Sequence, residues 1–301
     1  MGISQYLKDI GRGKQGARSL DRAQAADLFG QILDGEATDL EIGAFCIAMR
    51  IKGETPDEMC GFLDATHARL QRVSSASGRP VVVLPSYNGA RRLPVLTPLL
   101  AGLLAQRGLP VLIHGTATES SRVVVRDVLH AMDVQASGHA PVLADGQVAF
   151  VPTEVLSAGL KRLLDARRII GLRNSAHSLV KLMNPCSGPA VIVSSYTHPD
   201  YAVAMAAVFE RTGATALLLR GTEGEAVADA RRLPQMEGFV RGERVTLQEG
   251  RKGTLTELPE LPREIDAAST AAYIRDVLQE RKPIPEALAL QVEHILHLAS
   301  A

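Results

Sequence analysis

Past residue 80 the chain is punctuated by short, unbroken apolar runs, each followed by a stretch of helical character. No other feature restricts its fold so strongly. Val81-Val82-Val83-Leu84, Leu109-Pro110-Val111-Leu112-Ile113, Ala190-Val191-Ile192-Val193 and Ala216-Leu217-Leu218-Leu219 show no polar alternation. A strand that is apolar on both sides must be covered on both faces, the condition met by a parallel sheet flanked by helices. Helices are expected over 96–106, ended by Gly108, and over 121–132 and 201–211. Residues 148–151 are a further strand candidate. Pro110 offers no N–H to a ladder and must stand at the start of its strand. Alternation of this kind argues an α/β architecture with a mostly parallel central sheet.

The first 75 residues read differently. After a basic arm, Ala25, Leu28, Phe29, Ile32 and Leu33 recur at helical spacing, and Asp34-Gly35 ends the run. Thr38 or Asp39 can cap a second helix with Ile42, Phe45, Cys46 and Met49 on one face, closed by Gly53. Thr55-Pro56-Asp57-Glu58 reads as N-cap, proline at the first helical position and an acidic first turn, ahead of Met59, Phe62 and Leu63. A small all-helical domain over 1–75 follows, with 73–78 as a linker. The run 156–182 is helical again and breaks the strand–helix alternation, so about 160–183 is expected to join the helical domain in space. That leaves 76–159 and 184–301 to the α/β domain. The tail, 267–299, is helical with a break at Pro283 and Pro285.

Composition bounds the function. With 33 basic and 33 acidic side chains the formal charge is zero, which excludes a chain basic all over but not a local basic patch. Cys46, Cys60 and Cys186 lie far apart, with no metal-ligand spacing, and read as buried small hydrophobes in a reducing compartment. No apolar run is long enough to span a bilayer, and no leader-like segment opens the sequence. A cytoplasmic protein without a membrane partner is expected.

Several strings now carry a resemblance. Leu33-Asp34-Gly35-Glu36-Ala37-Thr38, Ala44-Phe45 and the run 48–55 resemble the N-terminal domain of anthranilate phosphoribosyltransferases and pyrimidine nucleoside phosphorylases. Gly171-Leu172-Arg173-Asn174, His177 and Leu182-Met183-Asn184-Pro185 are similar to the same family's arginine-containing segment, and Ile274, Val277-Leu278 and 285–290 to its C-terminal helices. Ile10-Gly11-Arg12-Gly13-Lys14, the run 84–91 and the run 219–225 resemble more narrowly the YbiB-type branch of that family, the glycosyltransferase family 3 fold. The resemblance implies a helical domain and an α/β domain with a cleft between them, and a homodimer formed through the helical domain. The branch resembles a nucleic-acid-binding protein more than a biosynthetic enzyme.

It also implies where chemistry would sit. Phosphoribosyl transfer needs a backbone nest for pyrophosphate, a divalent metal and donors for the acceptor. Where the enzymes carry a Gly-Thr-Gly-Gly-Asp type loop, this chain has Leu84-Pro85-Ser86-Tyr87-Asn88-Gly89-Ala90-Arg91-Arg92. One glycine, a proline and a tyrosine make such a nest an unexpected outcome. Two readings of the loop stay open, an Asn-Gly turn with exposed arginines and side-chain contact of Arg91 and Arg92 with phosphate. A Lys-His-Gly-Asn string is replaced by Ile113-His114-Gly115-Thr116, followed by Ser120-Ser121-Arg122. The family's metal-carrying Asp-Glu pair is replaced by Glu223-Gly224-Glu225, weak metal candidates expected in a solvated acidic loop. Arg173 matches the arginine that holds the acceptor carboxylate. Ser86, Asn88, Gly89, His114, Gly115, Thr116, Arg173 and His177 thus form a vestigial substrate site, and no catalytic residue is assigned.

Basic side chains cluster elsewhere. Residues 161–181 hold Lys161, Arg162, Arg167, Arg168, Arg173 and Lys181 against Asp165 alone. The arm holds Lys8, Arg12, Lys14 and Arg18 against Asp9. Such clusters supply sequence-independent affinity for nucleic acid, DNA or RNA, although basic helix faces are often merely solvated. The expectation is a homodimer that binds nucleic acid without reading sequence and needs no cofactor. The alternative is a glycosyl- or phosphoribosyltransferase with an unknown acceptor, in which Arg173, His177, His114, Glu223 and Glu225 act and Mg2+ is required. A third reading is a scaffold acting only through its dimer interface.

Overall fold

The computed structural model describes residues 2–119, 121–253 and 256–301; Ser120 and the side chain of Lys14, both named above, lie outside the described residues. Helices α1 (Ser4–Ile10), α2 (Gly13–Gly16), α3 (Arg22–Leu33), α4 (Asp39–Lys52) and α5 (Pro56–His67) come first. Strand β1 (Ser74–Ser75), β2 (Val81–Ser86), helix α6 (Thr97–Gln106), β3 (Val111–Gly115), α7 (Val125–Ala131), β4 (Val142–Leu143) and β5 (Val148–Pro152) follow. The chain returns to helix in α8 (Thr153–Leu156), α9 (Ala158–Ile170) and α10 (Ala176–Leu179). It closes with β6 (Ala190–Tyr196), α11 (Pro199–Thr212), β7 (Ala216–Arg220), β8 (Met236–Val240), β9 (Glu243–Gln248), α12 (Ala267–Leu278) and α13 (Glu286–Ala299). Two compact units result, Met1–Gln71 with Thr153–Pro185, and Arg72–Pro152 with Cys186–Ala301.

In the helical unit the local signals decide where helices start. Asp21 with Gln24, Thr38 with Glu41 and Thr55 with Glu58 each form a capping box, satisfying two otherwise orphaned N–H groups apiece. Phe29, Phe45 and Phe62 are fully buried; Phe29 stacks on Phe62 at 4.6 Å between centroids, and Phe45 meets Phe62 edge-on at 5.9 Å. Glu58 is also fully buried. Its carboxylate accepts from Lys52 Nζ at 2.6 Å and from the Leu20 N–H at 2.9 Å. Helix α9 docks on α3 through Gly159, where any Cβ would overlap the Leu33 carbonyl. The basic arm is ordered as α1 and α2, with Ile3 and Ile10 buried.

The other unit is built on a seven-stranded sheet of order β5-β3-β2-β6-β7-β8-β9. Pairing is parallel from β5 to β7 and antiparallel over β8 and β9. Helices α6, α7, α12 and α13 contribute to one continuous apolar core with the sheet. Sequence reasoning gave no hint of the β8–β9 hairpin. Its two-residue loop, Arg241-Gly242, takes positive φ at both positions, a primed turn without the usual Asn-Gly signal. Helix α7 starts at Val125 rather than 121, because Val123 is tied to Ala90 in an antiparallel bridge and Val124 is extended. The expected linker 73–78 contains β1, paired with β4. Along the chain, β2, β3 and β5 step to one side of the sheet and β6 and β7 to the other. The C-terminal ends of β2 and β6 therefore flank the point where strand order reverses, the usual place for a ligand in an open α/β sheet.

Candidate functional site

The loop after β2 leaves the sheet at that reversal point, and its backbone does form a nest. The N–H groups of Asn88 and Gly89 converge on Glu225 Oε1 at 2.9 and 2.8 Å. The Arg91 N–H donates to Glu223 Oε2 at 2.8 Å, and the Arg92 N–H to the same oxygen at 3.2 Å. The remaining N–H between them, Ala90, bonds the Val123 carbonyl at 2.8 Å. Four N–H groups thus hold two carboxylates, both from this chain. The sequence did not predict this convergence: Gly89 takes a positive φ, and the N–H groups meet carboxylates of this chain rather than an open phosphate cradle.

The carboxylates arrive from the end of β7. The 3-10 turn Thr222–Gly224 folds back, with Ser195 Oγ donating to the Gly224 carbonyl at 2.8 Å and Asn88 Nδ2 to the Glu223 carbonyl at 3.1 Å. Glu223 takes φ +51°, and Gly224 takes φ +89° where a Cβ would overlap Asn88 Nδ2. Gly224 is thus what lets the segment press onto the loop. Glu225 is 1% exposed and also accepts from Thr97 Oγ1 at 3.3 Å, a partner with no motif to announce it. The expected solvated acidic loop is corrected: Glu225 is buried, and both carboxylates are engaged by amide donors. No ion pair holds Glu225, and no group of three or more potential metal ligands exists, among the described residues.

The neighbouring strand end carries more of the residues expected in a vestigial site. Ser86 pairs in register with Gly115, and any side chain at 115 would overlap the Ser86 carbonyl. Thr116 is half-buried. His114 is fully buried, with Nδ1 2.8 Å from the Tyr87 hydroxyl and Nε2 without a partner. Burial pushes its pKa down to about 3, so the ring is neutral. In the helical unit His177 is buried within α10, Nδ1 3.2 Å from Asn174 Oδ1, its pKa lowered to about 4 by burial and then by Arg173 and Arg167. Arg173 is half-buried beside it.

The basic clusters fare unequally. On α9, Lys161 pairs with Asp165, Arg162 with Asp39 at 2.7 Å, and Arg168 approaches Asp165 at 3.7 Å. Arg167 and Lys181 are half-buried. Arg12 lies 3.8 Å from Asp9, whereas Lys8 and Arg18 are exposed without an acidic partner among the described residues. Arg91 and Arg92 are exposed at the rim of a cavity of about 770 Å³, which Arg220, Arg231, Arg232, Arg251 and Lys252 also line. Those last five escaped sequence reasoning, although the doublets Arg231-Arg232 and Arg251-Lys252 were as visible as Arg91-Arg92.

Comparison with known proteins places this geometry. Residues 4–69 match the helical bundle domain of the glycosyl transferase family. The chain is 39% identical over 298 residues to the uncharacterized protein YbiB of Escherichia coli (strain K12), covering 97% of this chain and 92% of that one. It is 32% identical over 212 residues to the anthranilate phosphoribosyltransferase of Moorella thermoacetica, covering 68% of this chain and 62% of that enzyme. Its fold matches that of anthranilate phosphoribosyltransferase from Saccharomyces cerevisiae in complex with PRPP and Mg, with TM-score 0.71 at 11% identity over 99% of this chain and 88% of that one. A small helical domain, an α/β domain with a mostly parallel sheet and near full-length identity to YbiB lead to one assignment: the chain belongs to the YbiB-type branch of the anthranilate phosphoribosyltransferase-like family.

Proposed function

We propose that this chain is a non-transferring member of its family that binds nucleic acid through phosphate contacts, without reading sequence, as a homodimer. The observation that carries the reading is the occupied nest. Transfer from a phosphoribosyl pyrophosphate requires those N–H groups for the donor, and here they hold Glu223 and Glu225. Charge supports the other half: Lys8, Arg18, Arg91 and Arg92 are exposed and without acidic partners among the described residues. An apolar groove between α1 and α4, lined by Leu7, Ile10, Ala44, Ile47, Ala48 and Ile51, supports a second copy as its cover. Three buried free thiols and the lack, among described residues, of a helix able to cross a membrane are in keeping with a cytoplasmic setting.

Fluorescence anisotropy with oligonucleotides of different sequence tests this. Binding is expected at low salt, with affinity falling linearly on a log–log scale as salt rises. Replacing Arg18 and Arg168 by Glu is expected to weaken all sequences alike. Affinity that ignores salt, or a preference that depends on sequence, defeats the reading.

A second reading is a transferase with an unknown acceptor. The relatives with a named activity are transferases, which favours it. So does the placement of Glu223 and Glu225, which could leave the nest to carry Mg2+ as a pyrophosphate entered. Calorimetry with phosphoribosyl pyrophosphate and Mg2+ separates the two, since a heat of binding at millimolar ligand supports transfer and its absence removes it.

A further inference from the structure

The cavity beside the nest is ringed by basic side chains. Its cations come from four separate stretches of chain: Arg91 and Arg92 in the loop after β2, Arg220 at the end of β7, Arg231 and Arg232 before β8, and Arg251 and Lys252 after β9. Among the described residues two acidic side chains line it, and both are committed. Glu223 accepts from the Arg91 and Arg92 N–H groups. Asp229 accepts from Arg231 Nη2 at 2.9 Å and lies within 4.0 Å of Arg232. Burial alone would raise the Asp229 carboxyl, but hydrogen bonds and charge from Arg231 outweigh it and hold the group below the usual carboxylate range. Asp229 therefore stays ionised and offsets one of the two guanidinium charges beside it, that of Arg231. Arg91, Arg92, Arg220, Arg251 and Lys252 are left, exposed and with no acidic partner among the described residues.

A chain of zero formal charge has acidic groups to spare, so gathering five unpaired cations around one concavity is a cost to the fold. Four of the five are arginines, whose planar fork matches phosphate oxygens two at a time. A volume of about 770 Å³ suits a small ligand rather than a flat polymer track. We infer that this cavity binds a compact anion carrying two or more linked phosphoryl groups. The site adjoins the nest and shares Arg91, Arg92 and Glu223 with it, but it draws on basic side chains rather than on the occupied N–H groups, and it does not require phosphoribosyl transfer.

The probe is inorganic tripolyphosphate, titrated calorimetrically into the full chain at fixed ionic strength. Saturable one-site binding is expected, stronger than that of orthophosphate. The double variant Arg251→Ala with Lys252→Ala, and separately Arg220→Gln, should each weaken it by about tenfold or more, the effect of losing charge-assisted contacts. Thermal melts without ligand check that the variants fold, and a ligand-induced rise in melting temperature in the parent but not the variants is a second readout. No saturable binding at millimolar probe, equal binding by the variants, or equal affinity for orthophosphate overturns the inference. Loss of oligonucleotide affinity in these variants with tripolyphosphate unaffected also overturns it, assigning the cations to the polymer. The nucleic-acid reading stands or falls separately, on the salt titration of the parent chain.

Discussion

Among the described residues, Glu58 in the helical unit and Glu225 in the α/β unit are the most deeply buried glutamates, and they are held in opposite ways. Glu58, in the helical unit, is fully buried with an ammonium against it, Lys52 at 2.6 Å, and completes the capping box of α5. Glu225, in the α/β unit, is 1% exposed and has only amide and hydroxyl donors, from Asn88, Gly89 and Thr97. The first is an ion pair that neutralises itself. The second is a negative charge in a nest of partial positive charges, the arrangement of a bound anion. A buried carboxylate that mends a helix end is structural. One held by converging backbone N–H groups takes up the donors that any other anion would need there.

The comparison breaks most visibly at Glu58. Glu58→Ala strands the Lys52 ammonium and the Leu20 N–H, and should cost about 3–5 kcal/mol in chemical denaturation. A loss below about 1 kcal/mol would mean that water replaces the partner and that the pair is not buried in solution. Next comes Glu225→Ala, which frees the nest at a cost of about 2 kcal/mol, because the donors become accessible to water. Phosphate or sulfate should restore part of that stability to the variant while leaving the parent unmoved. Equal effects of these salts on both proteins would show that the nest has no anion preference.

Acid pH sharpens the contrast through neutral groups. His114 and His177 have folded-state pKa values lowered from 6.5 to about 3 and about 4. The unfolded chain then binds more protons below pH 6.5, so stability is highest above that value and falls as pH drops towards about 4. Each histidine contributes a slope of up to about 1.4 kcal/mol per pH unit in that window. His114→Gln should flatten the profile over its range, and an unchanged slope would assign the acid sensitivity elsewhere. The smallest effect is expected at Arg162→Ala, which removes an exposed pair with Asp39 worth about 0.5 kcal/mol or less. A larger loss would mark α9 as held by charge rather than by Leu160, Leu163 and Leu164.

Legibility in the sequence followed the range of the interactions. The N-caps at Thr38 and Thr55 are local and were readable, as were the buried strands, whose apolar runs are local too, although Glu41 and Glu58 were not read as the closing partners. The β8–β9 hairpin was not, because Arg241-Gly242 turns the chain without an Asn-Gly pair. The nest was misjudged for a different reason. Counting glycines in 84–92 measured whether the loop could bend, whereas its N–H groups are organised by carboxylates more than 130 residues away. The cationic cavity was half seen, at Arg91 and Arg92, since nothing local links them to Arg220 or Lys252.

Because Glu225 is tethered to the fold that it completes, any free anion must compete with a ligand that never dissociates into bulk solution. Tethering of this kind sets an effective concentration, roughly millimolar even for a flexible link, and higher for one as short and fixed as Gly221–Glu225. Free phosphate at or below that level leaves the loop as it is. Ligand linkage, by which a protein with an open anion site gains stability as its ligand accumulates, is therefore deferred at the nest to anion concentrations above that level. Below that level the loop after β2 keeps the shape that presents Arg91 and Arg92 at the cavity rim.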